Sequence, residues 1–215
     1  GLKFTEFYAN CPVCSPTRAS FISGRYPELV GVPGVIRTYP ENSWGELSLG
    51  IPTVASQLKD AGYQTALIGK WHLGYGAKFY PQKFGFDVAE GFRYIAPDKE
   101  IMSVGKIPFL LDGKEVPRFR YDKQHTDILT DRAINFIENR GEQPFFLYLS
   151  IYLPHLPWEA IPDEDRKHYE GKNLIVPNLS RHPEAAISND DLRELMRSYY
   201  ANISCADRNI GRVLS

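Results

Sequence analysis

Five residues in this chain combine a reactive or charged side chain with a position where a fold could use it: Cys14, Arg18, Lys70, His72 and His155. In Cys11-Pro12-Val13-Cys14-Ser15-Pro16-Thr17-Arg18, the pair Ser15-Pro16 reads as N-cap plus first helical residue. Cys14 then stands at a helix N-terminus, where free N–H groups and the positive end of the dipole favour an anion. Arg18 follows four residues later, one turn on, and can face the same ligand. A thiol, a cation and a helix N-terminus converging on one point suit attack on an oxyanion ester. In Gly69-Lys70-Trp71-His72-Leu73-Gly74, Lys70 and His72 are two apart, so an extended chain points both to one face. A cation beside an imidazole can hold an anion and move a proton. His155 stands in Leu153-Pro154-His155-Leu156-Pro157, where the prolines stiffen the turn and would fix its direction.

Each of these residues also has a plainer reading. Cys11-x-x-Cys14 is compatible with half a zinc site or a redox pair. No second Cys pair exists, however, Cys205 is far off, and Pro12 and Pro16 place the helix too late for a thioredoxin-like motif. A lone histidine at a strand end is more often a satisfied structural group than a catalyst, and a lone lysine is more often solvated. The functional case therefore rests on three segments ending at one sheet edge.

The elements that must position these groups alternate between strand and helix. Residues 4–9 are short and aromatic and predict a strand. The helix after Ser15-Pro16 stops at Gly24, and residues 26–51, rich in Gly and Pro, read as a long loop. Pro52 opens a helix with Val54, Ala55, Leu58 and Ala61 on one face, closed by Gly62. Residues 63–69 suit a buried strand, and residues 73–122 read as excursions and short hairpins. Ile128, Leu129, Ala133, Phe136 and Ile137 give a helical stripe ended by Gly141. The apolar run 145–152 fits a central parallel strand. A polar loop over 154–187 follows, and Leu192, Leu195, Met196, Tyr199, Ile203, Ala206, Ile210 and Val213 mark a long final helix. This order predicts an α/β fold with a mainly parallel sheet flanked by helices. Sites in such folds lie beyond the carboxyl ends of the strands.

Composition narrows the classes. With 215 residues, 43% apolar and 24% charged, the chain can build a packed core. A net charge of −1 gives no global field for nucleic acid. The longest apolar stretch, near Pro144 to Pro157, is far short of a membrane span. Three cysteines do not make a disulfide framework. The chain opens at Gly1 without a start Met and closes at Ser215 inside a helical pattern, so it reads as an internal piece of a longer protein.

At this point the sequence resembles the type I, formylglycine-dependent sulfatases of the alkaline phosphatase-like superfamily. Cys14-Ser15-Pro16-Thr17-Arg18 with Gly24-Arg25 resembles the Cys-x-Pro-x-Arg signature with its trailing Gly-Arg, and Gly69 to Gly74 the second signature. Pro144-Phe145-Phe146 through His155-Leu156-Pro157 is similar to a later strand and histidine loop. Tyr199-Tyr200-Ala201 through Asp207, with Gly211-Arg212-Val213-Leu214, resembles the helix before a C-terminal metal segment. Thr17 departs from the usual Ser but keeps a hydroxyl. Phe21-Ile22-Ser23 departs from a Leu-Leu-Thr-like run but keeps the bulk.

The resemblance implies residues 1–215 as part of one catalytic domain, truncated at both ends. It implies conversion of Cys14 by a formylglycine-generating or anaerobic maturing enzyme. The hydrated aldehyde would attack the sulfur of a sulfate ester, and the alcohol would leave. Loss of a proton would then expel sulfate and restore the aldehyde. Arg18 would hold the diol, Lys70 would bridge sulfate and diol, His72 would be the base for sulfate release, and His155 would contact the sulfate or the leaving oxygen. Ca²⁺ would act as Lewis acid, with Cys14 its one ligand here and the others outside this chain. The implied substrate is a sulfated small molecule or glycan, in a periplasmic or secreted protein. The alternatives are a phosphate or phosphonate ester hydrolase of the same superfamily, a non-catalytic relative, and a Cys11/Cys14 redox protein.

Among the remaining features, Asn178-Leu179-Ser180 and Asn202-Ile203-Ser204 match the glycosylation sequon. Asn202 falls on the final helix, where no glycan is expected, and Asn178 stays open. Residues 163–172 read as a solvated charge run, and His125, His168 and His182 as surface or helix-end groups. Arg93, Tyr94, Arg118, Arg120 and Tyr121 read equally as plain surface or as contacts for a sulfated sugar.

Overall fold

The computed structural model describes residues 3–37, 42–93, 109–111, 114–116, 125–155, 161–177 and 187–215. Tyr94, Arg118, Arg120, Tyr121, Asn178, His182 and the side chains of Arg93 and His125 lie outside them. The chain forms two compact units. One comprises Gly1–Arg120 with Arg132–Ser150, the other Tyr121–Asp131 with Ile151–Ser215.

The first unit is built on a three-stranded parallel sheet. Strand β1 (Gln64–Gly69) is central, flanked by β2 (Val88–Glu90) and β6 (Phe145–Ser150). The register runs from Gln64 opposite Phe145 to Gly69 opposite Ser150, so β1 and β6 end together. Residues 65–69 of β1 are all buried, as expected of a parallel strand covered on both faces. The apolar run 145–152 was expected to be central, but β6 lies at the edge of this described sheet and is mostly half-buried. A second, antiparallel sheet joins β3 (Phe92–Arg93), β4 (Phe109–Leu111) and β5 (Lys114–Val116). These are the short hairpins expected of residues 73–122. The parallel strand β2 in the same stretch was not foreseen, because three residues are too few to show a period.

Helix α1 spans Cys14–Ser23 and stops at Gly24. Its N-cap is Val13, so the helix begins one residue before the expected Ser15 cap, and Cys14 is its first residue. Helix α2 (Val54–Asp60) is capped by Thr53, whose hydroxyl accepts from Ser56 N–H while the Ser56 hydroxyl accepts from Thr53 N–H. Only Ala55 of its expected apolar face is fully buried; Val54 and Ala61 are exposed. The expected strand over 4–9 does not form. Phe4, Phe7 and Tyr8 are exposed, and aromatic propensity without a partner strand leaves the backbone irregular.

The long loop over 26–51 is not peripheral. A 3₁₀ turn, Pro27–Val30, starts it, and Val30, Val32, Ile36 and Leu47 join Ala19, Ile22, Leu67, Trp71, Leu73, Phe84 and Phe86 in one core. Each of the Val, Ile, Leu and Phe side chains contributes about 2 kcal/mol by leaving water.

Helix α3 (His125–Asn139) carries the expected stripe, with Leu129 and Ala133 buried. In the second unit, α4 (Asp163–Lys167) interrupts the expected loop, and α5 (Asn189–Leu214) is the expected long helix. The apolar stripe marks α5 but not its buried face. Leu195, Tyr199, Ile203 and Ile210 are exposed, whereas Ala201, Asn202, Cys205 and Asn209 are buried. Asn202 is buried and donates to the Ser198 carbonyl at 2.7 Å.

Candidate active site

Cys14 is half-exposed and free, at the first position of α1, with no acidic residue in that turn. Cys11 is also a free thiol. Free amides and the dipole at this helix start favour a negative group beside residue 14.

Arg18, one turn along, ties α1 to the carboxyl ends of two strands. Its Nη1 donates to the Lys70 carbonyl at 2.9 Å, to the Tyr148 hydroxyl at 3.4 Å and to the Ser150 hydroxyl. Ser150 Oγ in turn donates to the Lys70 carbonyl at 2.7 Å, and Lys70 N–H to the Ser150 carbonyl at 2.8 Å. Arg18 Nε is buried and has no hydrogen-bond partner among the described residues. It is a buried guanidinium donor whose bond the described residues do not supply.

The loop after β1 is held as tightly. Gly69, with φ 109°, turns the chain out of the strand. Lys70, Trp71, Leu73 and Tyr75 are buried, so the alternation leaves His72 half-buried on the other side. Trp71 Nε1 donates to the Phe79 carbonyl at 2.6 Å, and Leu47 N–H to the Leu73 carbonyl at 3.0 Å. Gly74 is required by close approach: a Cβ there would lie 2.3 Å from the Phe79 ring. His72 has φ 64°, a left-handed conformation that a non-glycine residue adopts at a cost of about 1 kcal/mol or more. Its Nε2 lies 2.7 Å from the Ile36 carbonyl oxygen. The Ile36 N–H donates to Ser15 Oγ at 3.1 Å. One residue of the 26–51 loop thus connects the neighbour of Cys14 to His72.

The first unit therefore gathers Cys14, Arg18, Lys70 and His72. His155 belongs to the second unit, where it is exposed, one residue after the cis Leu153–Pro154 bond, and its N–H donates to the Tyr152 carbonyl at 3.0 Å. Leu156 and Pro157 of its motif lie outside the described residues. Reading the sequence missed Ser150 and Ile36. The first ends an apolar run and the second sits in a Gly/Pro-rich loop, and neither carries a local signal. Among the described residues no three His, Cys, Asp or Glu side chains form a metal-ligating group. The described residues, Cys14 included, thus do not by themselves fit a Ca²⁺ site. No described helix is long and apolar enough to cross a membrane.

The chain is 33% identical over 177 residues to N-acetylgalactosamine-6-sulfatase of Mus musculus, covering 73% of this chain and 34% of that protein. It is 29% identical over 218 residues to an ulvan-active sulfatase of Formosa agariphila, covering 99% of this chain and 39% of that protein. It spans about a third of the length of these relatives. The crystal structure of Ps i-CgsB superposes with a TM-score of 0.69 at 24% identity, over 94% of this chain and 43% of that one. The parallel sheet flanked by helices has the alkaline phosphatase-like fold. Sulfatases in general use formylglycine and a divalent metal. The sulfatase family profile matches residues 1–215, and the chain belongs to that family.

Proposed function

We propose that the whole protein hydrolyses sulfate esters, and that residues 1–215 are part of its single catalytic domain. The observation that carries this reading is the Arg18 clamp, which holds the start of α1, with residue 14, against the strand end bearing Lys70 and His72. Formylglycine made from Cys14 would supply a hydrated-aldehyde nucleophile that is restored when sulfate leaves. Arg18 brings a fixed positive charge, with Nε available to an oxygen at position 14. Lys70 extends from a buried backbone, and its ammonium holds a sulfate oxygen. His72 takes the proton whose removal releases sulfate. His155 contacts the sulfate or the leaving oxygen. A divalent cation, Ca²⁺ by family resemblance, is the proposed metal of the whole protein. Its ligands beyond Cys14 are proposed to lie outside the described residues, and no step is assigned to it.

A sulfated carbohydrate is the proposed substrate, supported by relatives named for N-acetylgalactosamine 6-sulfate and for ulvan. A maturing enzyme that oxidises Cys14 is the proposed partner, and the periplasm or the exterior the proposed compartment. The test compares matched aryl sulfate and aryl phosphate turnover by the full-length protein and its Cys14→Ala variant. The reading expects sulfate turnover that the variant loses by at least ~10³-fold. Preference for phosphate, or full activity in the variant, would refute it.

A further inference from the structure

We infer that the Ile36 peptide, anchored by Ser15, fixes neutral His72 as its Nε2–H tautomer and leaves Nδ1 as the nitrogen that takes the proton. This rests on the reading of His72 as the base. The Ile36 carbonyl lies 2.7 Å from His72 Nε2, and a carbonyl oxygen only accepts, so Nε2 carries the hydrogen. In a neutral imidazole the other nitrogen then holds the lone pair.

The carbonyl is well placed to impose this choice. Ile36 is 1% exposed, and its N–H is held by the hydroxyl of Ser15, which is 0% exposed. Both hydrogen-bonding groups of one peptide-linked residue are therefore committed, one to each side of the site. Ser15 adjoins Cys14 in α1, so the helix that carries the nucleophile position also directs the ring on the strand-end loop. The left-handed backbone of His72 lies between buried Trp71 and Leu73, so a locally unfavourable conformation is held in place by packing. Ser15 is thus a positioning residue.

The experiment is two-bond ¹⁵N–¹H correlation NMR on full-length protein labelled with ¹⁵N-histidine, at a pH where the ring is neutral. The His72 signal is assigned from its loss in His72→Gln. The wild type is expected to show Nε2 protonated and Nδ1 bare. A ring protonated on Nδ1, or an even mixture, overturns the inference whatever the activity. Ser15→Ala leaves the Ile36 N–H without its acceptor. It is expected to mix the tautomers and lower kcat roughly 10- to 100-fold, as for other groups that orient a functional histidine. KM should stay within about twofold, the pattern of an interaction used only in the transition state. Ser15→Thr restores the hydroxyl and should recover most of kcat. Unchanged tautomer and kcat in Ser15→Ala would remove Ser15 from the account. Full activity in His72→Gln, whose amide can still reach Ile36, would refute the base assignment while the tautomer stood.

Discussion

At the scale of single residues, the Arg18 guanidinium sets the geometry. One nitrogen serves the Lys70 carbonyl and the hydroxyls of Tyr148 and Ser150. A lysine has one compact donor head and cannot reproduce these contacts together with the separate Nε donor of Arg18. Arg18→Lys in the full-length protein is expected to lower kcat/KM by roughly 10²-fold or more with the fold intact, read from steady-state kinetics beside circular dichroism. Wild-type-like kcat/KM would show that the clamp is structural only. Ser150→Ala should lose about tenfold less, because Arg18 keeps its bond to the Lys70 carbonyl. Side-chain chemistry and spacing make Cys14, Arg18, Lys70 and His72 candidates in the sequence alone. Ser150 and Ile36 were not, since their roles arise from partners 132 and 21 residues away, respectively.

At the scale of elements, the same contrast separates β1 from α5. The buried run in β1 reads directly as a parallel strand, and its start is fixed by Asp87. That carboxylate accepts from Thr65 N–H and Thr65 Oγ1, each at 3.0 Å, and pairs with Lys59. Burial pushes the Asp87 carboxyl up, but the bonds from Lys59 and Thr65 outweigh it and hold the carboxyl below its ordinary range. Its stabilisation is therefore present above about pH 3.9 and lost as pH falls through the lower folded value. Lys59 and Asp87 are 48% and 38% exposed, so Asp87→Asn should cost at most about 1 kcal/mol at pH 7. Urea unfolding should show that difference shrinking below pH 4, whereas a constant difference would assign the effect to the Thr65 bonds alone.

In α5 the apolar period marks the helix, but half of the buried positions are polar. Arg208 donates to Asp165 at 2.8 Å and to Asp127 at 3.2 Å, and Asp165 is 6% exposed. Burial, then Asp165 and Asp127, push the neighbouring Cys205 thiol up to about 12, so it stays uncharged. Arg208→Met would leave buried Asp165 uncompensated, and unfolding is expected to be easier by about 3 kcal/mol. A change under ~0.5 kcal/mol would show the network to be neutral in the sense of an exposed pair. No hydrophobic pattern predicts such a network, since ion pairs between distant segments have no period.

At the scale of the whole molecule, the chain spans about a third of its relatives, and its described residues hold no three-ligand metal group. The 215 residues alone are therefore expected to turn over no aryl sulfate, while the full-length protein does so and loses activity to a chelator. Turnover by the isolated 215 residues would contradict the expectation that the remaining ligands lie elsewhere. The family and the parallel sheet were legible because short motifs recur in order along the chain. The packing of residues 26–51 was not, because a Gly- and Pro-rich composition signals turns but not whether Val30, Val32, Ile36 and Leu47 go inside. The most direct measurement is the mass of the tryptic peptide spanning residues 4–18 from the full-length protein matured in its own host. The account predicts that residue 14 carries an aldehyde oxygen in place of its thiol, trappable by hydrazide, while Cys11 stays alkylatable. An unmodified thiol at residue 14 in an active enzyme, or a Cys11–Cys14 disulfide, would contradict it.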